Sequence, residues 1–84
     1  IANKQSNISI SPNPFSDLLN IYAPSEKEGN AEIQVLDMVG KVVYRSVITL
    51  NQTLEINMDV PAGIYMLAIH TDGKYQVQKI VKSR

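Results

Sequence analysis

The side chains able to do chemistry are few and scattered. His70 is the only histidine in the 84 residues, and cysteine is absent. A thiolate nucleophile, a thiolate metal site and a disulfide are therefore excluded. A catalytic triad needs a histidine oriented by one partner and placed beside a nucleophile. Nothing near His70 in sequence supplies either, so it reads as a structural or solvent-facing residue near the end of a strand. The eight carboxylates fall on turns and outward strand positions. Glycoside hydrolysis needs two of them roughly 5–10 Å apart in a cleft, which so short a chain has little room to build. Asp17, Asp37, Asp59 and Asp72 each stand at a strand boundary, where Asp commonly closes turns. Asp59 or Asp72 would serve a Ca²⁺ loop only with several more oxygen ligands close by, so no metal and no other cofactor is expected. Gly29, Gly40, Gly63 and Gly73 are isolated turn glycines and form no phosphate cradle. Asn7-Ile8-Ser9 and Asn51-Gln52-Thr53 match the short N-glycosylation pattern, which reads here as coincidence. Phe15, Tyr22, Tyr44, Tyr65 and Tyr75 are too dispersed for a stacking platform and read as core fillers, with one of them exposed. No enzyme is expected from this inventory.

Charge and hydropathy exclude further classes. The formal net charge is zero, so there is no overall pull toward nucleic acid or an anionic membrane. No apolar run approaches the roughly 20 residues that span a bilayer, so no membrane insertion is expected. Residues 1–7 are polar and contain no signal-peptide apolar region. The start without Met suggests a piece cut from a longer precursor. The charges are unevenly spread. After Gly73 they are Lys74, Lys79, Lys82 and Arg84, all positive. The last strand is thus a basic stripe, which suits either an aggregation-resistant edge or a docking segment.

The elements that must hold these residues are strands. Ile8 and Ile10 alternate with polar residues until Pro12-Asn13-Pro14 ends the run, since proline removes ladder donors. A second run covers Asp17 to Tyr22, with Leu19 and Ile21 inward. Pro24 to Asn30 is a loop. Ala31, Ile33 and Val35 alternate in a third run, and Met38-Val39-Gly40 makes a tight turn. Val42, Tyr44, Ile48 and Leu50 share parity in a long fourth run, with a bulge expected near Arg45-Ser46. After a turn at Asn51-Gln52, Leu54, Ile56, Met58 and Val60 alternate cleanly with polar residues. Pro61-Ala62-Gly63 breaks the ladder. Ile64 to Thr71 is nearly all apolar and reads as a central strand covered on both sides. Asp72-Gly73 predicts a type I′ hairpin into a last strand carrying Tyr75, Val77, Ile80 and Val81. The parity slips between Val77 and Ile80, which leaves the face of Lys79 open. About seven antiparallel strands at this spacing predict an all-β, immunoglobulin-like β-sandwich.

Four motifs follow in order: Ser11-Pro12-Asn13-Pro14-Phe15 with Leu19-Asn20-Ile21, then Val35 to Val43 through Asp37, Gly40 and Lys41, then Val60-Pro61-Ala62-Gly63-Ile64-Tyr65, then Gln78-Lys79-Ile80-Val81-Lys82. In this order they resemble the type A C-terminal sorting domain of the type IX (Por) secretion system of the Bacteroidetes. The resemblance covers about residues 8–84 and departs at Ser11, where many relatives carry an aromatic or aliphatic residue. It implies an immunoglobulin-like fold at the C-terminus of an exported protein, with residues 1–7 as the end of a linker from a covalently attached N-terminal cargo. It implies, as partners, an outer-membrane translocon, a shuttle protein and a surface sortase that removes the domain. It places the chain in the periplasm in transit and then at the cell surface or outside the cell. Pro12, Asn13, Pro14, Asp37, Gly40, Lys41, Gly63 and Tyr65 read as residues that maintain the fold, Tyr65 through a tyrosine corner. Lys79, Ile80, Val81 and Lys82 are the expected recognition segment, captured as an exposed basic edge by strand addition. Pairing of two copies through edge strands is also expected. The alternative is an accessory carbohydrate- or adhesion-type binding module, which calls for exposed aromatics on a flat face or a Ca²⁺ site.

Overall fold

The computed structural model describes residues 8–71 and 73–83. Asp72, Arg84 and the linker expected over 1–7 lie outside the described residues. The strands are β1 (Ser9–Ser11), β2 (Leu18–Tyr22), β3 (Asn30–Leu36), β4 (Val42–Thr49), β5 (Thr53–Asn57), β6 (Gly63–Thr71) and β7 (Lys74–Lys82). They form two antiparallel sheets, one in the order β1-β2-β5 and one in the order β4-β3-β6-β7. This is an immunoglobulin-like β-sandwich, and no helix occurs among the described residues.

Alternation builds the core. Successive side chains point to opposite faces of a strand, so Leu19, Ile21 and Ile56 turn one way from the smaller sheet. Ala31, Ile33, Val35, Ile48, Tyr65, Leu67, Ile69 and Ile80 turn toward them from the larger one, and all are buried. Burying each large aliphatic side chain contributes about 1.5–3 kcal/mol. With no disulfide, this packing is the main source of stability. Phe15, from the turn after β1, is 1% exposed and closes the same core.

Five local expectations are corrected. The β3–β4 ladder shifts register between Val35 and Leu36, with Val35 opposite Tyr44 and Leu36 opposite Val42. The bulge is thus at Val43. Arg45 and Ser46 pair regularly with Gln34 and Ile33. The extra residue moves Val42 to the outer face, where it is 36% exposed, so it does not share the inward parity of Tyr44 and Ile48. Strand β6 is central, but only one of its faces is covered: Ile64 is 42% exposed and His70 is exposed. Its apolar run reflects an antiparallel sheet with one open side. The β6–β7 ladder runs from Thr71–Lys74 to Gly63–Lys82 without a slip. Tyr75, Val77 and Lys79 therefore occupy the open outer face, and Ile80 the core. Finally, both Tyr22 and Tyr75 are exposed, one aromatic more than expected.

Candidate functional site

The expected fold-maintaining residues form compact backbone devices. Asp37 accepts at its Oδ1 from the amides of Val39 (3.0 Å) and Lys41 (2.9 Å). Its own amide donates to the Lys41 carbonyl at 2.9 Å, and its carbonyl accepts from the Gly40 amide at 3.0 Å. One aspartate thus satisfies most of the β3–β4 turn, in the way Asp does in turns. Gly40 closes it at φ 90°, where a side chain would be strained. The Tyr65 hydroxyl donates to the Pro61 carbonyl at 2.5 Å. This is the tyrosine corner, and Gly63, at φ 153°, makes the bend that brings Pro61 back over Tyr65.

The segment expected to carry recognition has a more divided geometry. Lys79 is exposed and Val81 half-buried. Ile80 is 0% exposed and Lys82 is 6% exposed. Alternation explains the division: Ile80 and Lys82 face inward, opposite Tyr65 and Gly63. The Lys82 ammonium donates to the Ser16 carbonyl and lies 5.9 Å from the centre of the Phe15 ring, a cation–π distance. The expected basic stripe is therefore split, with one lysine outside and one folded into the structure.

The edge of this segment is also occupied. Asn13 accepts at Oδ1 from the Val81 amide (2.9 Å) and donates from Nδ2 to the Lys79 carbonyl (3.4 Å). Phe15 runs parallel to β7 beside Lys82. Its amide donates to the Val81 carbonyl at 2.9 Å, and its carbonyl accepts from the Ser83 amide at 2.7 Å and from the Ser83 hydroxyl at 3.2 Å. The turn that follows β1 thus adds itself to β7 as a short parallel strand. This corrects the expectation of a free edge from Lys79 onward. Backbone groups alternate sides along a strand, so the open part of the β7 edge lies at Tyr75 and Val77. Pro12 and Pro14, both after cis peptide bonds, flank Asn13 on the exposed side of the clamp.

A family model described as the secretion system C-terminal sorting domain matches residues 9–83. The chain belongs to this family. No curated protein matches it. As a sorting domain it is a type IX secretion signal, joined to a cargo protein and used for export to the cell surface or beyond. Such a domain works by being recognised and is not itself an enzyme. A shallow recess on the outer face is lined by Glu32, Gln34, Ala68, His70 and Tyr75, with the His70 and Tyr75 rings 5.9 Å apart. Among the described residues no group of three His, Asp or Glu side chains is placed to hold a metal ion.

Two residues have roles that the sequence did not announce. Asn13 reads as a turn residue, yet its side chain holds a strand some 66–68 positions away. Asn51 sits at φ 67°, accepts from the Ser25 amide and donates to the Lys27 carbonyl. Only the left-handed tolerance of Asn in turns hinted at the second role, and nothing local hinted at the first.

Proposed function

We propose that this domain is the terminal export signal of a larger protein whose cargo precedes it. The protein crosses the periplasm, engages the outer-membrane translocon with help from a shuttle protein, and loses the domain to a surface sortase. The family match over residues 9–83 carries this reading. Within the segment Lys79, Ile80, Val81 and Lys82, the burial pattern supports a division of labour: Lys79 and Val81 present side chains to a partner, and Ile80 and Lys82 fix their position. Two copies pair, if they pair, through the open edge at Tyr75 and Val77, which sedimentation of the isolated domain would detect. No observation favours the binding-module alternative.

The segment is tested with a reporter fused ahead of residues 1–84, expressed in a host that has the type IX system, beside a version lacking Lys79 to Arg84. Surface delivery of the first and retention of the second supports the segment as the signal, and a delivered reporter whose mass lacks the domain supports removal. Equal delivery of both refutes the segment. Delivery with the domain still attached refutes removal.

A further inference from the structure

The clamp has a consequence for how the signal is read, and it rests on the proposed function above. A strand at the end of a chain frays unless something ties it down. Here the Pro12–Ser16 turn makes the tie on the outer edge. Asn13 takes both the Val81 amide and the Lys79 carbonyl. Phe15 takes the Val81 carbonyl and the Ser83 amide. Ser16 takes the Lys82 ammonium. These anchors come from one five-residue turn at the opposite end of the sequence.

The clamp also decides what a partner meets. With it closed, the edge of Lys79–Ser83 is unavailable for strand addition, which needs unpaired backbone groups. The accessible features are the outward Lys79 side chain, the half-buried Val81 and the exposed Asn13 and Pro14 beside them. With it open, β7 keeps its ladder to β6, but the outer edge of Lys79–Ser83 is left unpaired and free to fray or to pair elsewhere.

We propose that the export machinery reads the last strand only in its clamped form, as one surface with the Pro12–Ser16 turn. Asn13 is then a positioning residue of the signal. It fixes Lys79 and Val81 in place without being required for the sandwich, because its side chain is exposed and spends its hydrogen bonds on the strand end. A partner built for this surface carries an acidic group for Lys79 beside an apolar contact for Val81.

Asn13→Ala in the reporter fusion tests this. The substitution removes both side-chain bonds to β7, and the Ser83 amide, held by Phe15, reports whether the clamp has loosened. Loss of these bonds predicts roughly tenfold faster exchange at Ser83, with exchange in β3 and β6 unchanged. Surface delivery should fall to the level of the fusion lacking Lys79 to Arg84. Asn13→Asp keeps the acceptor for the Val81 amide and should keep most of the delivery. Ser83→Pro deletes the donor to the Phe15 carbonyl and approaches the same clamp without touching Asn13; it should also lower delivery. Normal delivery of Asn13→Ala with a loosened Ser83 amide overturns the proposal, since the open form is then read equally well. Failure of the unsubstituted fusion to reach the surface overturns instead the sorting function on which the proposal rests.

Discussion

Replacing Tyr65 by Phe removes one oxygen atom and leaves the aromatic packing in place. The ring is buried, with Tyr65 only 5% exposed, and its hydroxyl donates to the Pro61 carbonyl at 2.5 Å. Phe fills the same site, so no cavity term arises. What is lost is one hydrogen bond, and Pro61 is exposed, so water can take over the freed carbonyl. The cost is then that of a typical intramolecular bond, about 1 kcal/mol. In a domain of this size, about 1 kcal/mol lowers Tm by roughly 4–8 °C. In urea it lowers the midpoint by roughly 0.5–1 M at an unchanged slope of about 1–2 kcal/mol/M. Tyr75→Phe is the control: Tyr75 is 62% exposed, and surface changes of this kind stay within about 0.5 kcal/mol. Parallel urea titrations of the three proteins settle the matter. A Tyr65→Phe midpoint equal to that of the Tyr75→Phe control would refute the role given to the tyrosine corner.

Two further predictions separate folding from recognition. Ile80→Ala, at a fully buried position, should cost about 2–5 kcal/mol, while Lys79→Ala should stay within about 0.5 kcal/mol and yet lower surface delivery of the reporter. Thermal melts beside delivery assays check both, and a stable, undelivered Lys79→Ala domain is the informative outcome. Asp37→Ala should lose about 1–2 kcal/mol, because its carboxylate serves two amides. Asp37→Asn keeps the acceptor and should recover most of that loss in the same melt.

The strands were legible because alternation is a local signal. Leu19 and Ile21, or Ala31, Ile33 and Val35, declare their inward face within a few residues, and the structure buries all five. Turns were equally plain wherever Pro, Gly or Asp leaves the chain few choices, as at Pro12–Pro14 and Asp37–Gly40. The errors came where a face depends on a register that local pattern does not set. The bulge at Val43 is fixed by how β3 and β4 meet. The parity slip read between Val77 and Ile80 left the face of Lys79 open, and the unbroken β6 ladder puts Tyr75, Val77 and Lys79 outside. The candidate site was legible as a segment but not as an arrangement. Lys79 and Lys82 look alike in sequence, and only the pairing with β6 and the arrival of Phe15 make one a surface charge and the other an anchor. The clamp joins two motifs from opposite ends of the chain, so no window of sequence contains it.

These 84 residues act as an export signal. The most direct measurement is surface exposure of a reporter fused ahead of residues 1–84, in a host with a working type IX system and in the same host lacking the translocon. Surface reporter is expected in the first and periplasmic reporter in the second. Reporter retained in the periplasm of both hosts, with the domain folded, would contradict the export role.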